Sequence, residues 1–194
     1  MTGLRTYRAI ALLLAALAGA PALAGPFEDA LVAYGCGYYF EAIRLFRPLA
    51  EQGHAGAQYY VGVMYASGED VPRDYAEAMR WYRRAADQGY DWAQNNIGLM
   101  YLTGQGVARD NGEALAWFRR AAGQGNVNAQ NNRGTMYRDG DAVPVDPVAA
   151  HLWFDLAAQR GFQPAAKNRD ALRAGMSEAQ LAQAQRLARE WKPN

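Results

Sequence analysis

The sequence predicts an all-α fold, a solenoid of stacked helix pairs. Three observations carry that expectation: a 36-residue internal period, helical spacing of bulky residues in both halves of each copy, and turn-and-cap chemistry between the halves. Offset by 36 residues, the chain aligns Ala57, Ala93 and Ala129, each followed by glutamine. The register continues through Gly62, Gly98, Gly134, through Met64-Tyr65, Met100-Tyr101, Met136-Tyr137, and through Asp74, Asp110, Asp146. It closes on Trp81, Trp117, Trp153 and on Gly89, Gly125, Gly161. Full copies span 54–89, 90–125 and 126–161; a shortened first copy spans 27–53, with a turn at Gly35-Cys36-Gly37 about four residues tighter, and 162–194 supplies capping helices.

Residues 1–24 stand apart. Arg5 and Arg8 precede an apolar run from Ala9 to Ala20, and Ala22-Leu23-Ala24 is a small-x-small cleavage pattern, so this stretch reads as a secretory signal peptide and the expected location is the periplasm. The run is short of the roughly 20 apolar residues that a membrane span needs, so no stable membrane insertion is expected after cleavage.

The 194 residues carry 51% hydrophobic side chains and a formal net charge of +1, which losing Arg5 and Arg8 would turn slightly negative. Such a balance gives no electrostatic case for nucleic acid or an anionic membrane. Cys36 is the single cysteine, so no internal disulfide can form and packing must hold the array.

In the first half of each copy, such as AQYYVGVMYASG, bulky residues recur every three or four positions without proline, which predicts a helix. Glycine inside a helix costs about 1 kcal/mol relative to alanine. Gly62, Gly98 and Gly134 therefore predict close approach of a neighbouring helix, with Ala30 in that place in the first copy. The following turns end on Asp74, Asp110 and Asp146, suited to cap the second helix. Asp74 with Glu77 and Asp110 with Glu113 have capping-box spacing, and Pro147 suits a first helical position. The second helices put Ala78, Trp81, Tyr82 and Ala85, or their counterparts, on one face as core. Ser177 with Gln180 opens a final amphipathic helix. Arg133 stands where Val61 and Ile97 stand in other copies, and Asp155 where Arg83 and Arg119 stand; a buried arginine needs a partner, and these two exchanged residues are expected to meet.

The pattern A-x-x-x-x-G-x-M-Y, then G-x-x-V-x-x-D-x-x-x-A-x-x-W, then A-A-x-x-G resembles the Sel-1-like repeat, a relative of the tetratricopeptide repeat with a longer turn. The resemblance implies a right-handed α-α superhelix and, for the family, a role as an adaptor that gathers other proteins. Some secreted, cysteine-rich members are linked to β-lactam or peptidoglycan binding and hydrolysis; this chain lacks their paired cysteines.

Stacked pairs make a concave surface lined mainly by first helices. Its candidate partner-binding residues are Tyr59, Val63 and Ala66, then Asn95, Leu99 and Leu102, then Asn131, Thr135 and Arg138, with Trp92 at the rim. They vary between copies while their neighbours repeat, as a protein or peptide groove would, and asparagine amides can bond an extended backbone. The competing expectation is that these residues are solvated or bury neighbouring helices. After cleavage only Ser67 and Ser177, His54 and His151, and Lys167 and Lys192 remain of those residue types, with no G-x-S-x-G or S-x-x-K, so a non-catalytic protein without cofactor or metal is expected. Asp139-Gly140-Asp141 with Asp146 lacks the remaining ligands of a calcium loop, and the Gly104–Gly106 stretch joins two helices and is a turn. A cell-wall-directed hydrolase or β-lactam-binding protein is the alternative, and a self-associating element a third.

Overall fold

The computed structural model describes residues 25–193; the signal-peptide expectation for 1–24 lies outside them. Among the described residues there are ten helices and no strand. They are α1 (Pro26–Gly35), α2 (Tyr39–Glu51), α3 (Ala55–Ser67), α4 (Tyr75–Asp87), α5 (Asp91–Thr103), α6 (Asn111–Gly123), α7 (Val127–Asp139), α8 (Pro147–Gln159), α9 (Gln163–Arg173) and α10 (Glu178–Glu190). Each helix from α1 to α8 packs on its successor, whereas α10 departs from that order by lying against α8. Its Ala188 and Trp191 close the end of the stack, with Trp191 edge-on to Trp153 at 6.1 Å.

The mid-helix glycines explain the tight pairing. A Cβ on Gly62 would sit 2.7 Å from the Tyr82 ring, and one on Gly98 or Gly134 would sit 2.6 Å from Phe118 or Phe154. Each ring is fully or almost fully buried and fills the space beside the glycine of the partner helix. Trp81, Trp117 and Trp153 reach back into the core of the preceding pair, so they join one brick to the next.

Asp74, Asp110 and Asp146 each accept from amides of the first turn of α4, α6 and α8. The expected capping boxes at Asp74 and Asp110 are only half formed. The cap amides of Asp74 and Asp110 already donate to the carbonyls of Tyr65 and Tyr101 in the preceding helix, leaving the glutamates no donor to reach. Glu77 pairs with Arg80 instead. The box at Ser177 and Gln180 is complete.

Successive turns also touch. The amide of Phe40 donates to Asp70 at 3.0 Å, so α2, which has no side-chain cap of its own, borrows one from the next turn. Asp70, Gly106 and Ala142 occupy one repeat position, and all three have positive φ, at 54°, 72° and 62°. Aspartate tolerates the left-handed region locally, whereas alanine is strained there by about 1 kcal/mol or more.

Arg133 and Asp155 do not meet as expected. The Arg133 guanidinium lies 3.9 Å from the centroid of Trp153, so an aromatic face is its partner. Asp155 pairs with Arg169 at 3.0 Å.

Two stability measurements check this account. Ala142→Gly should raise the urea midpoint, by about 1 kcal/mol of stability, because the backbone strain is removed. Gly98→Ala should lower stability by about 1–3 kcal/mol despite the better helix former, because the added methyl overpacks Phe118.

Candidate functional site

The first helices α3, α5 and α7 lie side by side, joined by polar rungs. Asn132 donates to Asn95 at 3.0 Å and Asn168 to Asn131 at 2.9 Å, while Asn96 lies near the Tyr59 and Tyr82 hydroxyls, where its amide favours the ionised phenols. Burial pushes the Tyr59 phenol up to about 12, with neighbouring tyrosines adding to the shift. Where the later copies have asparagine, the first two stack rings: Tyr60 lies parallel to Phe46 at 4.9 Å and edge-on to Tyr34 at 5.1 Å.

These contacts sort the candidate residues. Asn95 is 4% exposed and Asn131 half-buried, and both spend their side-chain oxygens between helices. Tyr59, Val63 and Ala66 are half-buried against the core formed by α4 and α5, and Leu102 against the core formed mainly by α6 and α7. Thr135 and Arg138 are half-buried, Arg138 paired with Asp139 at 2.7 Å. Trp92 and Leu99, seven residues apart on α5 and so on one helix face, remain open at 43% and 36% exposure. The free face is thus narrower than the spacing alone suggests and centres on α5.

A second ladder has no role in the sequence reading, although its residues recur there in phase. Gln58, Gln94 and Gln130 each donate to a carbonyl eight residues earlier, at Ala50, Ala86 and Ala122. Gln88 then donates to Gln58, and Gln124 to Gln94, both at 2.8 Å. In the fourth pair Arg160 replaces that donor and turns to the Gly125 carbonyl, which leaves the buried Gln130 Oε1 without a partner. The 30-residue spacing of the glutamines is the signal that could have shown the rung. Among the described residues no group of three or more histidine, cysteine or carboxylate side chains could hold a metal ion.

The Sel1 repeat model matches residues 32–54, 55–90, 93–126 and 127–162. The chain belongs to the Sel1 repeat family. Sel1 repeat proteins generally mediate protein–protein interaction and are typically non-catalytic scaffolds. Two solved structures of the same solenoid fold are similar. One is a protective antigen present in uropathogenic Escherichia coli strains (27% identity, TM-score 0.60), covering 84% of this chain and 45% of its own. The other is a Sel1 repeat protein from Oxalobacter formigenes (31% identity, TM-score 0.59), covering 71% of this chain and 59% of its own. This Sel1 repeat chain therefore spans about half the length of the structures it matches. Comparison with curated proteins finds no match.

The split between spacer and contact residues is measurable. Asn95→Ala should cost about 1 kcal/mol of stability, through the lost rung and the stranded Asn132 amide. Leu99→Asp should leave stability within about 0.5 kcal/mol, as expected of an open position. Urea titration of both variants checks the pair.

Proposed function

We propose that this chain is an exported, non-catalytic scaffold that takes a protein or peptide segment across the face of its first helices. The observation that carries the reading is the pair Trp92 and Leu99, large apolar side chains left open on one face of α5, the helix that buries its own Ala93, Ile97 and Met100. An apolar pair on a rigid helix, flanked by polar residues, suits the anchor positions of an interface. Val63 and Thr135 extend the contact to α3 and α7, while Asn95 and Asn131 hold the helices at their spacing. Export is supported by the Arg5, Arg8 and Ala9–Ala20 pattern with its small-residue cleavage site. No helix of the described residues is long and apolar enough to cross a membrane.

Photocrosslinking from position 92 or 99, with Arg120 on a second helix as control, should capture a protein partner from the envelope fraction only at the first two positions. Leu99→Asp should weaken the captured complex at least tenfold, about 1.4 kcal/mol. Mass spectrometry of the recovered chain should place its first residue at Gly25, and nitrocefin and peptidoglycan turnover by the purified protein should be blank. Turnover that is lost with a Trp92 or Leu99 substitution would replace the scaffold by the hydrolase reading.

A further inference from the structure

Because α10 packs on α8 rather than on α9, a polar cleft of about 240 Å³ opens between the three helices. It is lined by His151 and Asp155 from α8, Arg169 and Arg173 from α9, and Gln185 from α10. Other copies of the repeat show what these positions hold when the stack continues. His151 takes the place of Ile43, Met79 and Leu115, all buried and apolar. Asp155 takes the place of Arg47, Arg83 and Arg119, and Arg173 that of Tyr65, Tyr101 and Tyr137. In those copies the arginine meets the tyrosine directly, with Arg47 donating to the Tyr65 hydroxyl and Arg83 to that of Tyr101. Here that contact is abolished from both sides, and the residues that replace it face a cavity.

The replacements leave recognition groups unused. His151 is 3% exposed, yet its Nδ1 has no hydrogen-bond partner, a cost the apolar residue of any other copy would avoid. Arg169 is committed to Asp155 and Asp170, whereas Arg173 has no carboxylate partner among the described residues. The cleft's formal charges, two arginines against Asp155, leave one positive charge in excess. That surplus suits a monoanion, while a dianion would also face Asp155 and Asp170. The volume lies below the range of about 300–1,000 Å³ usual for ligand sites, so only a small group fits.

We propose that this cleft binds the carboxylate of a small organic acid or of a peptide C-terminus, with Arg173 as its ion-pair partner and His151 and Gln185 as hydrogen-bond partners. The site is independent of the face around Trp92 and Leu99. Burial holds the His151 imidazole below its ordinary value; Asp155 and Asp170 pull it up, Arg169 and Arg173 push it down, and α10 contributes to the cleft only the neutral Gln185. The imidazole is therefore neutral at pH 7. A bound carboxylate favours its protonated form, so affinity strengthens as pH falls through the His151 transition, until the ligand itself protonates at about pH 4–5.

The full chain has two histidines, so 15N-histidine NMR reads the site directly. His54, which caps α3 by accepting from the Ala57 amide, serves as the internal control. The probes are acetate and N-acetyl-alanyl-alanine, with the dipeptide's methyl ester and inorganic phosphate for comparison, each taken to about ten times a millimolar dissociation constant. The His151 resonances should shift saturably with a carboxylate and those of His54 should not. A response to both carboxylates places the recognition in the carboxylate alone, and a response to the dipeptide alone identifies a peptide terminus as the source. Arg173→Gln, at an exposed position, should weaken binding at least tenfold. His151→Leu, which installs the residue of the third copy, should abolish binding measured by calorimetry while the protein stays folded. Absence of a saturable shift, parallel shifts of both histidines, an equal response to the ester or to phosphate, or undiminished binding by Arg173→Gln would each overturn the proposal.

Discussion

The contact on which the rest of the structure depends is an aromatic ring laid on bare helix backbone. Tyr82, Phe118 and Phe154 lie where a side chain on Gly62, Gly98 or Gly134 would have to be. Removing that side chain lets the two helices of a pair approach, and the penalty for glycine in a helix is offset by burying a whole ring. With the distance set, the pair has one face for the tryptophan of the next pair and another for the preceding one. Stacking is then nearest-neighbour, and stability accumulates along the chain.

On that rigid core, polar side chains decide how neighbouring pairs are held. The glutamine rungs satisfy carbonyls at the ends of second helices, and the asparagine rungs tie first helices together. Both kinds lie inside the stack, where an amide gains most from a fixed partner and loses most without one. The fourth pair is where these devices change. Arg160 abandons Gln130, Arg133 settles on an indole face, and Asp155 turns to Arg169. The termination of the array is thus spread over several helices rather than confined to the last one, and the cleft beside His151 is its consequence.

For binding, the division of labour on the inner surface matters more than its extent. Residues that vary between copies are not equally available: Tyr59, Asn95 and Asn131 set the spacing of the first helices, and Trp92 with Leu99 faces outward. Variation at the first set changes the contact between neighbouring first helices, an amide pair at Asn95 and Asn132 and a ring contact at Tyr59 and Tyr90. Variation at the second set changes what the surface can touch.

The sequence by itself determined the all-α solenoid, the helix pairs, their aspartate caps and the glycine seats, because a 36-residue period repeats local chemistry that leaves little choice of secondary structure. It also marked the substitutions at Arg133 and Asp155 as departures from the pattern. Only the tertiary structure decided their partners, since a guanidinium accepts an indole face or a carboxylate, and spacing along one chain cannot tell which lies within reach. The same holds for the capping boxes, where the Tyr65 and Tyr101 carbonyls took the amides that Glu77 and Glu113 were spaced to meet. It holds as well for Asn95, whose amide serves a neighbouring helix or a partner equally well in sequence. Periodicity records which residues share a face; packing between bricks determines which of them remain in contact with water.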